Sequence, residues 1–120
     1  MKVLIVDDSK VMRVIISRIV RELGHEVVEA GDGQDALKKI EESGGVGLAL
    51  VDWNMPVMNG LDFVKALRAD ARFTAVPIMM VTTETEMGQV QLALQAGANN
   101  YVTKPFTPEV IQEKLKSMGF

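Results

Sequence analysis

Four short apolar runs in the sequence each end in a polar residue of the kind that a metal or phosphate site needs. The runs lead into Asp7-Asp8, Asp52, Thr82-Thr83 and Lys104-Pro105. Carboxylate oxygens suit a hard divalent cation, and a lysine ammonium can bind an anionic oxygen. If the runs are neighbouring parallel strands, these side chains meet at one edge of the sheet, because ligand crevices in open α/β sheets lie outside the carboxyl ends of the strands.

Three carboxylates at one crevice would repel one another. Two unit charges about 4 Å apart cost on the order of 4 kcal/mol at an effective dielectric constant near 20. A positive group must offset that repulsion, and Mg²⁺ typically binds through one or two carboxylates, waters and a phosphoryl oxygen. Lys104, from another strand end, supplies a second positive group. The acidic set therefore predicts a magnesium site.

A simpler role for Asp7-Asp8 is helix capping. The pair stands beside Ser9 at the start of a helical pattern, where aspartate is favoured by the backbone N–H groups and the helix dipole. Asp52 is harder to explain in this way, because it ends an apolar run and precedes Trp53. Carboxylates are rarely buried without partners. Taken together, the strand-end residues favour a functional site.

The composition indicates one cytoplasmic domain. A chain of 120 residues is long enough to bury a core without metal clips or disulfides. The absence of cysteine excludes thiol catalysis and a zinc–thiolate site. The net charge of −3, with Lys and Arg spread along the chain, argues against direct nucleic-acid binding, and the apolar stretches are too short for membrane insertion. We expect a single domain over 1–120 with no effector domain.

Strands and helices alternate along the chain. Apolar spacing and capping residues predict helices over 11–23, 33–43, 61–69 and 87–96 and a last helix from Pro108, with strands at 3–6, 26–29, 48–51, 77–82 and around Tyr101. Such alternation, with nearly all-apolar central strands, implies a parallel sheet covered by helices on both faces. The predicted fold class is therefore doubly wound α/β.

The whole chain resembles the receiver domains of bacterial two-component response regulators. The motifs that carry the resemblance occur in order: Asp7-Asp8, Asp52, Met55-Pro56 with Asn59-Gly60, Thr82, and Lys104-Pro105-Phe106. The stretch 52–56, with Glu84 and Tyr101, is most similar to the chemotaxis regulators within that family. The resemblance implies a five-stranded, flavodoxin-like sheet in the order 2-1-3-4-5, a single receiver domain over 1–120, and a cis bond before Pro105.

The resemblance implies that the chain is a phosphoacceptor and not an enzyme. Asp52 would attack the phosphoryl group of a phosphohistidine on a sensor histidine kinase. Asp7, Asp8, Asp52 and the backbone carbonyl of Asn54 would hold Mg²⁺, with Asp7 acting partly through water. The domain would assist its own phosphotransfer and dephosphorylation, and a phosphatase would be a further partner.

The resemblance also implies a switch. Lys104 would bind a phosphoryl oxygen, and Thr82 would donate its hydroxyl to the phosphoryl group once it is present. The space that Thr82 leaves would admit the ring of Tyr101 from the next strand. Asn54 and Glu84, polar residues beside the site, would let water reach the aspartyl phosphate, so we expect a short-lived phosphorylated state.

The switched surface is expected to comprise the helix over 87–96, the strand at Tyr101 and the last helix. That first helix is apolar on two sides, one with Leu92, Ala93 and Ala96 and the other with Met87, Val90 and Leu94. The residues alone leave open which side faces the core. The resemblance favours an exposed partner surface made of Met87, Val90, Leu94, Tyr101 and Lys114, which would bind a target such as the flagellar motor switch.

Other functions remain compatible with parts of the pattern. A phosphorelay intermediate would pass its phosphate to a histidine phosphotransfer protein, and the chain could also be the receiver of a larger regulator. A flavodoxin-like electron carrier shares the fold class, but Asp7-Asp8 would repel a flavin phosphate. A haloacid-dehalogenase-type phosphatase pairs two aspartates one residue apart, which the stretch from Asp52 to Asn54 does not.

Overall fold

The structure, a computed structural model, describes residues 1–83 and 87–120, apart from the side chain of Met87. Five strands alternate with five helices in the described ranges. The strands are β1 Lys2–Val6, β2 Glu26–Ala30, β3 Leu48–Asp52, β4 Ile78–Thr83 and β5 Asn100–Lys104. The helices are α1 Lys10–Glu22, α2 Gly33–Glu42, α3 Gly60–Ala69, α4 Met87–Ala96 and α5 Pro108–Ser117. None of these helices is long and apolar enough to span a bilayer.

The strands form one parallel sheet in the order β2-β1-β3-β4-β5. The register places Val6 opposite Val51, Asp52 opposite Val81 and Thr83 opposite Lys104, so the strand ends lie at the same edge. The predicted fold class and strand order are confirmed. The peptide bond between Lys104 and Pro105 is cis.

Two apolar clusters fill the spaces above and below the sheet. Between the sheet and α2, α3 and α4, the largest fully buried side chains are Leu4, Ile40, Phe63, Leu67, Ile78 and Met80. Between the sheet and α1 and α5, they are Ile5, Ile16, Leu48, Leu50, Met79 and Ile111. Successive strand residues point to opposite faces. The central strands are buried on both faces, and this explains their continuous apolar sequence.

The helix termini lie close to their predicted positions. Thr107 caps α5, and Pro108 occupies its first turn, where a missing N–H costs nothing. The helix α3 begins at Gly60, one residue earlier than predicted. Asn59 is the N-cap, and its side chain accepts the Asp62 N–H at 2.9 Å. The Asn59-Gly60 pair, one of the motifs that carry the family resemblance, is therefore the start of a helix.

The loop between β3 and α3 holds one of its residues in a disfavoured conformation. Val57 has φ of 67° and is 72% exposed. The left-handed region costs an L-residue about 1–2 kcal/mol, and β-branched residues rarely adopt it. The Met58 N–H donates to the Pro56 carbonyl at 2.7 Å, and the Met58 carbonyl accepts the Gly33 N–H at 3.3 Å. These neighbouring contacts hold Val57 in a conformation that its own side chain opposes.

Replacing Val57 by asparagine should stabilise the protein by about 0.5–1 kcal/mol, because asparagine adopts the left-handed region more readily and little packing is lost at an exposed site. Urea unfolding followed by circular dichroism measures the change. Val57→Thr keeps the β-branched shape and serves as the control, with an expected free energy of unfolding near that of the parent. An asparagine variant no more stable than the threonine variant would show that Val57 is not strained.

Candidate functional site

The carboxyl ends of β1, β3 and β5 bring two acidic side chains into contact with a lysine. Lys104 Nζ lies 3.1 Å from Asp52 Oδ1 and 3.4 Å from Asp7 Oδ2. Both carboxylates are buried, with Asp52 6% and Asp7 1% exposed. Since β4 lies between β3 and β5, the Lys104 side chain must reach across the end of β4. Parallel topology thus joins residues that are 52 and 97 positions from Lys104 in the chain.

Asp8 completes the acidic group at its exposed side. Ligand oxygens of Asp7, Asp8 and Asp52 all lie within 4.8 Å of one another. The N-cap of α1 is Ser9, whose Oγ accepts the Met12 N–H at 3.2 Å. Asp7 Oδ1 accepts the Ser9 N–H at 2.8 Å, and this hydrogen bond holds Ser9, the capping residue, in place. Neither aspartate is itself the cap, and the acidic pair needs another explanation.

The three carboxylates fit a hard divalent cation. Each offers an oxygen, the ligand type that Mg²⁺ prefers, and the exposure of Asp8 leaves one side open to the waters that Mg²⁺ usually keeps. Asn54, whose backbone carbonyl is a predicted ligand, follows Asp52 by two residues and is exposed. The donor set is therefore compatible with the magnesium site predicted from the sequence.

The site is electrostatically unfavourable for Asp52. Burial, and after it the negative charge of Asp7, raise the pKa of Asp52 from 3.8 to about 6, although Lys104 opposes the shift. Burial alone would lower the pKa of Lys104, but the charges of Asp52 and Asp7 outweigh it and raise this pKa above 10.5. Lys104 is consequently protonated at neutral pH, and an added cation would further relieve the repulsion between the carboxylates.

Close backbone packing fixes the peptide that follows Asp52. The Trp53 N–H donates to the Val81 carbonyl at 3.3 Å, and the Trp53 carbonyl accepts the Gly60 N–H at 2.9 Å. A Cβ at Gly60 would overlap the Asp52 carbonyl oxygen and lie 2.8 Å from Met80 Cε. Only glycine lets α3 begin directly against the end of β3, which explains the glycine of the Asn-Gly pair.

The predicted switch residues lie on one face of the sheet. In the β4–β5 register, Thr82 pairs with Thr103 and Met80 pairs with Tyr101, so Thr82 and Tyr101 are diagonal neighbours. Thr82 is fully buried, whereas Tyr101 is half-buried against the core. Lys114 Nζ from α5 lies 4.9 Å from the centroid of the Tyr101 ring. Tyr101 thus lies between the end of β4, where Thr82 is buried, and Lys114 on α5.

The structure corrects the predicted partner surface at Val90. This residue is 4% exposed, and Ala93, one turn later on the same face, is fully buried. Leu94 is 37% exposed, and Leu92, which was an alternative core residue, is 52% exposed. Because α4 is apolar on several sides, the spacing of its apolar residues did not identify which side is buried. The side chain of Met87, another predicted surface residue, lies outside the described part of the chain.

The residues predicted to control the lifetime of the phosphate are only partly described. Asn54 is exposed. Glu84 lies outside the described residues. A short-lived phosphorylated state therefore stays a prediction.

A contact to Asp7 was not predicted from the sequence. Arg13 of α1 donates a hydrogen bond from Nη1 to the main-chain carbonyl of Asp7, and its Nε lies 3.5 Å from Glu29 Oε1. In the sequence, Arg13 stands on the polar side of a helix pattern, where arginine is ordinarily solvated. Asp7 lies outside α1, so helical spacing does not predict the contact and the fold was needed to reveal it.

Comparison with known proteins identifies the family. Residues 3–116 match the response regulator receiver domain. The chain belongs to this family. The chemotaxis protein CheY1 of Helicobacter pylori is 50% identical over 117 residues, which cover 97% of this chain and 94% of that protein. Receiver domains act in two-component signalling, and this one is CheY-like.

Solved structures agree with this assignment. Chemotaxis response regulator CheY4 of Vibrio cholerae superposes with a TM-score of 0.89 at 40% identity, covering 97% of this chain and 96% of that one. The receiver domain of a Pseudomonas aeruginosa sensor histidine kinase has a TM-score of 0.86 at 31% identity, covering 97% and 94%. That structure contains a magnesium ion coordinated in its active-site cleft.

Substitution of Asp52 by asparagine should stabilise the metal-free receiver at neutral pH. The folded-state pKa of about 6 exceeds the unfolded value of 3.8, so the folded state binds more protons and the stability of the parent falls as the pH rises between these values. Removing the charge should add about 2–3 kcal/mol above pH 6. Urea unfolding in EDTA measures this advantage, which should shrink as the pH falls toward 3.8. An advantage independent of pH would contradict the raised pKa.

Proposed function

We propose that this receiver is switched by phosphorylation of Asp52, with a sensor histidine kinase as the phosphodonor. The observation that carries the proposal is the contact of Lys104 with Asp52 at 3.1 Å, beside two further carboxylates within 4.8 Å. An anionic nucleophile, a fixed cation and a set of metal-ligating oxygens are the components that phosphoryl transfer needs, since it depends on positioning and charge stabilisation.

The chemistry at Asp52 is a simple exchange of bonds. One carboxylate oxygen forms a bond to phosphorus while the P–N bond of the kinase phosphohistidine breaks, and the imidazole leaves with the bonding electron pair. The Lys104 ammonium, already directed at the Asp52 carboxylate, is placed to bind an oxygen of the arriving phosphoryl group. The product is an acyl phosphate on Asp52, and the displaced imidazole takes a proton from solvent.

Mg²⁺ is the proposed cofactor. Asp7, Asp8 and Asp52 would hold it together with the backbone carbonyl of Asn54, and the bound ion supplies positive charge to the phosphoryl oxygens. The magnesium-containing cleft of the Pseudomonas aeruginosa receiver supports this choice. The chain itself keeps these oxygens together before the ion binds. The Ser9 N–H and the Lys104 ammonium both donate to the Asp7 carboxylate and hold it in place.

Phosphorylation would change the surface through Thr82 and Tyr101. The phosphoryl group brings a charge of roughly −2 and three acceptor oxygens to the edge of the sheet. The Thr82 hydroxyl would turn toward it, and the Tyr101 ring would fill the space on the same face. Such a ligand shifts the population between two conformations by binding one of them better.

The proposed target surface consists of Leu94, Tyr101 and Lys114, with Val90 omitted because it is buried. Relatives that share up to half of the sequence are chemotaxis proteins, so a flagellar motor switch protein is the proposed target. The partner would meet an exposed leucine, a half-buried ring and the ammonium that lies over that ring.

Trp53 fluorescence tests the phosphoacceptor proposal. This tryptophan is the only one in the chain, follows Asp52 directly and is 7% exposed. We expect Mg²⁺ to quench it in the parent protein, and acetyl phosphate to deepen the quenching in the parent but not in Asp52→Asn. Phosphoprotein detection by mass spectrometry on the same samples provides the control. A folded parent protein that binds Mg²⁺ but acquires no phosphate would contradict the proposal.

A charge reversal at Lys114 tests the target surface. Lys114→Glu removes the ammonium from the Tyr101 ring, and Lys116→Glu makes the same charge change two residues along α5. Binding of the phosphorylated protein to its motor switch protein should weaken about tenfold or more for Lys114→Glu alone, the size expected for a central contact. Isothermal titration calorimetry measures this affinity. Equal weakening in both variants would indicate a general charge effect.

The relay alternative has its own test. Transfer of the phosphate from Asp52 to a histidine phosphotransfer protein, without binding to the motor switch protein, would favour a relay.

A further inference from the structure

We propose that Arg13 is a positioning residue that fixes the Asp7–Asp8 peptide and thereby sets the affinity of the site for a divalent cation. The proposal rests on the proposed function, because it concerns the same acidic group. Arg13 touches none of the carboxylates that would bind the ion. Its contact is with the main chain between two of them.

The Arg13 side chain is held at both ends of its guanidinium. Nη1 donates to the Asp7 carbonyl, and Nε lies 3.5 Å from Glu29 Oε1 on β2. The side chain is 19% exposed. It passes Gly31, where an added Cβ would be 3.7 Å from Nη1, an ordinary van der Waals contact. A planar guanidinium can hold two such partners at once in a fixed geometry.

The other polar groups of Asp7 are also occupied. Its N–H donates to the Ala30 carbonyl at 3.1 Å, and its carboxylate accepts from the Ser9 N–H and from Lys104. The carbonyl held by Arg13 belongs to the planar peptide group that connects Asp7 to Asp8. Holding that oxygen fixes the rotation of the peptide and hence the direction in which the exposed Asp8 carboxylate leaves the main chain.

An effect of Arg13 through its charge and an effect through positioning would change the affinity for the cation in opposite directions. A guanidinium close to the acidic group repels an incoming cation, so its removal would strengthen cation binding if charge were its main effect. If Arg13 orients Asp8 instead, its removal weakens cation binding even though a positive charge is lost. The direction of the change therefore distinguishes the two effects without reference to its size.

Titration of Trp53 fluorescence with Mg²⁺ compares the parent with Arg13→Gln and Arg18→Gln. Arg18 lies on the same helix, is exposed and carries the same charge, so it is the matched control. Removing a group that orients a metal ligand typically lowers the affinity for the metal about 10–100-fold. We expect Arg13→Gln to bind Mg²⁺ about tenfold more weakly, and Arg18→Gln to bind as tightly as the parent or slightly more tightly. Saturating Mg²⁺ should restore the rate of phosphorylation by acetyl phosphate in Arg13→Gln.

Circular dichroism establishes that each variant is folded at the titration temperature. If Arg13→Gln is unfolded, the titration is made on Arg13→Lys, which keeps the charge but loses the planar fork and should also bind Mg²⁺ more weakly. Affinity equal to or tighter than that of the parent, in whichever folded Arg13 variant is used, overturns the positioning role. A folded parent that shows no Mg²⁺ binding overturns the metal site itself, so the two failures are distinguishable.

Discussion

The arrangement of the site depends on one long side chain that crosses a strand. Parallel topology delivers Asp7 and Asp52 to adjacent strand ends, where their charges repel and burial removes the solvent that would screen them. Lys104 starts two strands from Asp52 and reaches both carboxylates over the end of β4. The position of the lysine is therefore set by the sheet order as much as by the chemistry.

This crevice lowers stability locally, and the rest of the fold compensates. The raised pKa of Asp52 shows that the carboxylate is less well solvated in the folded protein than in water, even with Lys104 at 3.1 Å. Two apolar clusters on opposite faces of the sheet supply the stability, and both use strands that are buried on each side. The rigid strands hold their ends in place, so the charged groups cannot relax apart without disturbing the core.

The features that could be predicted from the sequence depend on the spacing of apolar residues and on the order of the elements along the chain. Continuous apolar runs marked the central strands, and the polar residues after them marked the edge where Asp52 and Lys104 meet. The buried face of α4 was missed at Val90, because a helix that is apolar on several sides gives no periodic signal. The contact of Arg13 with Asp7 was also missed, since a hydrogen bond to a main-chain carbonyl does not depend on the type of the residue that carries the carbonyl. The left-handed conformation of Val57 was hidden because valine ordinarily avoids it.

In the proposed switch, the strand that Lys104 crosses would also carry the signal. The Lys104 ammonium is already bound to Asp7 and Asp52, so a phosphoryl group with three acceptor oxygens would need a further donor, and the end of β4 is the adjacent strand terminus. Thr82 is fully buried there, so its movement would open a void beside Met80, which close-packed interiors do not tolerate. The Tyr101 ring, half-buried and paired with Met80 on the same face, is the large group able to fill that void. If the ring moves inward, it leaves the ammonium of Lys114, and a change of charge at the sheet edge becomes a change of shape at α5.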